Sequence, residues 1–161
     1  MKRAARTRLV MLAAVATLVA LATWQWRHDA ARAPGTLLAL NPTSVTRVAL
    51  TLGTAVPRQW TQRDGHWYTN NGQRADDRYV NGLVATAAAP VLEWRALADF
   101  APAKIGLAPA QSVLTLDGHV LRFGAMSATG PQCYVQVGNR VALVSLRYQP
   151  RPPAPKHVEL H

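Results

Sequence analysis

Four cations, Lys2, Arg3, Arg6 and Arg8, stand immediately before an uncharged stretch from Leu9 to Trp26, and no other feature restricts this chain as strongly. A helix over Leu9 to Trp26 rises roughly 27 Å at about 1.5 Å per residue, close to the hydrocarbon thickness of a bilayer. Positive charge clustered on one flank keeps that flank cytoplasmic, so everything after Arg27 is expected to be exported. Trp24 and Trp26 then reach the outer interface, where a ring with an apolar body and a polar N–H is well placed. The chain divides accordingly into a basic cytoplasmic segment (1–8), a transmembrane anchor (9–26), a stalk (27–35) containing Pro34-Gly35, an exported domain (36–148) and a proline-rich tail (149–161).

The same stretch also reads as a signal peptide, because Ala20-Leu21-Ala22 supplies the small-x-small pattern of a cleavage site. Against cleavage after Ala22, the apolar character runs on to Trp26, past the roughly 7 to 15 residues of a usual signal core. A buried helix of a soluble domain would leave the basic start unexplained. No cysteine directly follows the apolar run, which excludes a lipid anchor there. The expected location is a bacterial inner membrane crossed once, with the N-terminus cytoplasmic and the C-terminal domain periplasmic.

Charge and cysteine usage narrow the exported part. The net charge is +10; removing the four N-terminal cations leaves 14 Lys and Arg against 8 Asp and Glu, or +6, beyond Trp26. These charges are scattered rather than grouped on a basic helix or an RNA-binding motif, so nucleic acid is not expected as a partner. Anionic lipid headgroups suit them better. Cys133 is the one cysteine, so no intrachain disulfide forms and packing must hold the domain together. It is expected inside a strand as a small apolar residue.

Period-two alternation organises the exported domain. Val48, Leu50 and Leu52 alternate with Arg47, Ala49 and Thr51 as in a half-buried strand. Arg58 to Thr69 reads as a hairpin turning on Asp64-Gly65, a pair that accepts the positive φ of a tight turn. A two-residue turn sets Arg63 opposite His66, Gln62 opposite Trp67 and Trp60 opposite Thr69. Trp60 and Trp67 therefore share one face, and Thr61, Tyr68, Arg63 and His66 share the other. Asp76-Asp77 then caps a helix with Val80, Leu83, Val84 and Ala87 along one apolar stripe, ended by Pro90.

Val91 to Arg95 returns as a strand, and Asp99 to Pro109 is an irregular connection. Ser112 to Phe123 repeats the Asp-Gly turn at Asp117-Gly118, placing Leu114, Leu116, Leu121 and Phe123 on one face. A third pair, 134–137 with 141–146, turns at Gly138-Asn139, and the prolines from Pro150 to Pro155 form an extended tail. The fold class is α+β: antiparallel β-hairpins with one amphipathic helix, preceded by an N-terminal transmembrane helix.

Candidate chemistry is sparse. His66 and His119 each follow an Asp-Gly turn, yet a metal site needs three or four convergent ligands, and no cysteine pair or histidine pair at ligand spacing supplies them. No serine lies in a nucleophile motif and no glycine run forms a phosphate cradle. No catalytic, cofactor-binding or metal residue is therefore assigned. Trp60, Trp67 and Tyr68 form one candidate binding surface, a stacking platform for a glycan or an extended peptide. The alternative for these rings is the core of a small β domain.

Several segments together resemble the domain of unknown function 4340 family. They are the strand 45–50, the run Trp60-Thr61-Gln62-Arg63-Asp64-Gly65-His66-Trp67, the helix from Asp77 to Ala87, and Ile105-Gly106-Leu107-Ala108-Pro109. Val113 to Gly118, Phe123-Gly124 and Tyr134-Val135-Gln136-Val137 complete the set, covering residues 36 to 148. The resemblance implies a membrane-anchored protein outside the cytoplasmic membrane, found beside ABC-type transporters, with no catalytic residues to carry over. Ile105 departs from the pattern, since an aromatic residue often stands there. The expected function is a non-enzymatic periplasmic interaction domain engaging an envelope membrane protein, with the bilayer itself as the other partner and no cofactor.

Overall fold

The computed structural model describes residues 2–32 and 34–154, with side chains described for 6–28 and 34–154. The side chains of Lys2 and Arg3 and the end of the tail from Pro155 lie outside the described residues. The chain forms two units, residues 1–33 and 34–161.

The first unit is one helix, α1 (Lys2–Arg32). It contains a 23-residue stretch, Arg6–His28, long and apolar enough to cross a membrane. Leu9, Leu12, Leu18 and Trp26 along it are exposed. Its hydroxyls are satisfied internally: Thr17 Oγ1 donates to the Ala13 carbonyl at 2.9 Å, and Thr23 Oγ1 to those of Val19 and Ala20 at 3.0 and 2.9 Å. Such back-bonding lets these two hydroxyls lie on an apolar surface without seeking water. Trp24 stacks on His28 one turn later, with ring centroids 5.2 Å apart. The expected stalk needs correction, because residues 27–32 continue the helix. Ala30, Ala31 and Arg32 favour helix, and the break waits for Pro34-Gly35.

The second unit is built on a single sheet. Its strands are β1 (Arg47–Leu52), β2 (Arg58–Arg63), β3 (His66–Thr69), β4 (Val91–Ala96), β5 (Ser112–Leu116), β6 (His119–Met126), β7 (Gln132–Val137) and β8 (Arg140–Ser145), with α2 (Asp77–Ala85) between β3 and β4. All neighbours are antiparallel, in the order β3-β2-β1-β5-β6-β7-β8-β4. Both Asp-Gly turns take the expected form, with φ of 50° and 78° at Asp64-Gly65 and 46° and 90° at Asp117-Gly118. Positive φ at both central residues matches the twist of the flanking strands. The register of the first hairpin is the one its turn dictates, Trp60 opposite Thr69 and Gln62 opposite Trp67.

One sheet face and α2 enclose the core. Val48, Leu50, Leu114, Leu116, Leu121, Phe123, Val135 and Val144 meet Val80, Leu83, Val84 and Ala87, all fully buried or nearly so. Each of these side chains larger than alanine contributes about 1.5–3 kcal/mol of burial, so a disulfide is dispensable. The helical stripe ends in a 3-10 turn at Thr86–Ala88 ahead of Pro90. The tail is shorter than expected, since Tyr79 Oη donates to the Arg151 carbonyl at 2.9 Å and Pro150 is buried. Residues as far as Arg151 are thus held against α2.

Candidate interaction surface

Trp60 is 6 % exposed and Trp67 1 %, so the two rings belong to the core and present no platform. Facing α2 decides this. Trp60 meets Tyr79 edge-on at 5.9 Å, and the Trp67 Nε1–H donates to Asn81 Oδ1 at 2.8 Å. Tyr68, on the opposite face, is half-buried. The tryptophans and Tyr68 therefore do not combine into one binding surface, as alternation along β3 separates them.

Asp77 takes a role that capping does not describe. The cap is Asp76, whose carboxylate accepts from the Arg78 and Tyr79 amides. Asp77 instead turns back to the first hairpin. Its Oδ1 accepts from the Trp67 amide at 2.8 Å, and its Oδ2 lies 2.8 Å from His66 Nδ1 and 3.2 Å from Arg74 Nη2. The Trp67 amide and then the His66 ring hold its pKa down to about 2. Arg74 Nη2 also sits 2.7 Å from His66 Nδ1, which can donate to the carboxylate or accept from the guanidinium but not both at once. This cluster clips the start of α2 to β3.

His119 lies at the start of β6, with β2, β1 and β5 between it and His66's strand in the sheet. Its Nδ1 is 3.2 Å from the Leu116 carbonyl. The two histidines are not brought to one cleft. Among the described residues no group of three His, Cys, Asp or Glu converges for a metal. The two Asp-Gly turns also differ in use: Asp117, unlike Asp64, receives the Arg47 amide at 2.8 Å and the Thr46 amide at 3.2 Å, fastening β1 to the second hairpin.

The sheet face opposite α2 is where a surface feature appears. The connection between β4 and β5 packs there on the end of β6, with the Ala125 amide donating to the Ile105 carbonyl at 2.8 Å. Between this connection and β4 lies a cavity of about 250 Å³. Phe100, Tyr134, Val141 and Leu143 give it an apolar floor, and Glu93 and Arg95 stand at its rim. Phe100 meets Tyr134 edge-on at 5.6 Å. At the rim, Arg95 Nε donates to Glu93 Oε1 at 2.7 Å, which raises the arginine pKa further. A wider hollow of about 460 Å³ lies beyond the β2–β3 end, but its one aromatic is the buried Trp60.

None of the cavity residues was a sequence candidate, though one signal pointed to it. Val141-Ala142-Leu143-Val144 is apolar at every position, which marks a strand covered on both faces. Phe100 could not be placed, because its contact with Tyr134 depends on how the irregular connection folds back. Comparison of the chain with protein-family models, with curated proteins and with solved structures found no match.

Proposed function

We propose that this chain is a single-pass inner-membrane protein whose periplasmic α+β domain is a non-enzymatic interaction module, accessory to an ABC-type transporter or another envelope complex. The observation that carries this reading is Arg6–His28, an exposed apolar helix with internally satisfied hydroxyls, joined to a folded domain. Left in water, so much apolar surface would drive aggregation; in a bilayer it costs nothing. The resemblance to the domain of unknown function 4340 family supports the transporter setting. The cavity bounded by Phe100, Tyr134, Val141 and Leu143 is the surface on which a partner side chain would seat. Purification of the full chain from membranes in mild detergent is expected to bring an envelope membrane protein with it, and Tyr134→Ala to weaken that recovery. Recovery of the chain alone, or an N-terminus found at Thr23 after cleavage, would sink the proposal.

A second reading, a glycan- or peptide-binding module, moves from the buried tryptophans to the same cavity. Its support is the half-buried aromatic pair Phe100 and Tyr134, which meets edge-on beside the cavity. Calorimetric titration with peptidoglycan fragments and short periplasmic peptides tests it; no heat with either class would remove it.

A further inference from the structure

The two ends of the sheet are treated differently. At β3 the outer edge is already paired: the Thr69 amide donates to the Gln73 carbonyl and the Ala75 amide to the Trp67 carbonyl, both at 2.8 Å. At the other end, only the entrance to β4 is covered, where the Val91 amide donates to Gly35 and the Leu37 amide to Ala89. From Leu92 to Ala96 no segment among the described residues pairs with the outer side of β4. Leu92 there is 52 % exposed.

Which groups point outward follows from the ladder. The Leu97 amide donates to the Asn139 carbonyl at 2.9 Å, so residue 97 faces β8. Alternation then turns the N–H and C=O of Ala96 and Trp94 to the open side. The side chains alternate as well. Glu93 and Arg95 lie on the face opposite α2, while Trp94 packs toward the core, its ring under the Arg140 guanidinium at 4.2 Å and its Nε1–H bonded to the Pro34 carbonyl at 2.8 Å.

An open edge is usually blunted by charged side chains, a proline or a β-bulge, and the bulge of β4 falls between Val91 and Glu93, ahead of the stretch around Trp94. Here the two charges have opposite sign and flank Trp94 symmetrically. If two copies of β4 run antiparallel about Trp94, residue 94 meets 94 with two exchanged backbone bonds, and residue 93 meets 95. Glu93 of each copy then opposes Arg95 of the other, at the closer, non-hydrogen-bonded pairs of the ladder. The edge is complementary to itself.

We propose that the protein forms a two-fold symmetric homodimer through the Leu92–Ala96 edge of β4, joining the two eight-stranded sheets into one. The charge pattern fixes the register, because a slip by one residue sets Glu93 against Trp94 and moves every side chain to the wrong face.

Sedimentation of the full chain in mild detergent tests it. The wild type is expected to be a dimer. Glu93→Arg and Arg95→Glu, each alone, oppose like charges and should weaken dimerisation by about tenfold or more. Mixing the two single variants should restore association as a heterodimer, and the double variant E93R/R95E should dimerise like the wild type. Ala96→Pro removes an outward amide at a residue whose φ of −68° already suits proline, so it should be monomeric and melt where the wild type melts once diluted to monomer. A monomeric wild type at about 100 µM, a concentration at which any dimer with Kd below that value is populated, would overturn the proposal. So would single reversals that stay fully dimeric, since association through α1 would ignore them.

Discussion

Gly106 and Gly124 let two backbones touch. A Cβ on Gly106 would stand 2.7 Å from the Ala125 amide nitrogen, and a Cβ on Gly124 would overlap the Ile105 carbonyl. That approach allows the 2.8 Å bond from the Ala125 amide to Ile105, which seats the β4–β5 connection on the outer face of β6.

Gly124→Ala should therefore destabilise the domain by about 2–3 kcal/mol, the range for forcing an atom into a packed site. Gly106→Ala carries an added cost of about 1 kcal/mol or more because its φ of 69° is left-handed. Urea titration of the two variants and of the pair measures both, and the pair should fall short of the sum because one contact is lost in each. Wild-type stability in G124A would mean that the connection does not dock.

Asp77 makes stability depend on acidity. Its folded pKa of about 2 lies below the roughly 3.9 of an unfolded aspartate, so the unfolded chain takes up the proton first. The contribution is whole above about pH 4 and disappears as pH falls toward 2. Asp77→Asn should melt below the wild type at pH 7, with a gap that closes near pH 2. A gap that stays constant across this window would show that hydrogen-bond geometry, rather than charge, is what Asp77 supplies.

Ser112 faces the core with an Oγ that is buried and has no partner among the described residues. A hydroxyl left in this state costs about 1–3 kcal/mol of desolvation. Ser112→Ala is expected to raise the stability by about 1 kcal/mol, or at least not to lower it, in thermal melts of the full chain. A clear loss would reveal a bond made by that hydroxyl.

Cys133 is fully buried, and burial pushes its thiol up to about 11. Because the thiolate is the reactive form, labelling by a thiol reagent at pH 8 should proceed only as the domain opens. Core variants such as Leu114→Ala, expected to cost about 2–5 kcal/mol, should speed that labelling in step with their loss of stability. Fast labelling of the native protein would contradict the packing of β7.

The apolar run after four cations, the turns at Asp64-Gly65 and Asp117-Gly118, the register of the first hairpin, the faces of the second and the buried stripe of α2 were all legible in the residues. Each is a local matter. A tight turn and a period of two or 3.6 involve neighbours a few positions apart, and their physics is complete within a short window. The helix outran its expected end because the charges at Arg27, Asp29 and Arg32 end the apolar run but not the helix, which Ala30, Ala31 and Arg32 favour by propensity.

What depended on the folded chain was everything joining distant segments. That β1 pairs with β5 and β4 with β8 cannot be read from alternation, since any amphipathic strand offers the same edge. The cavity, too, arises where Phe100, Tyr134 and Leu143 meet from three separate elements. Trp60 and Trp67 show the division most plainly. The turn set them on one face, but whether that face met water or a helix was decided by α2, which Asp77 ties to β3 and which covers both rings.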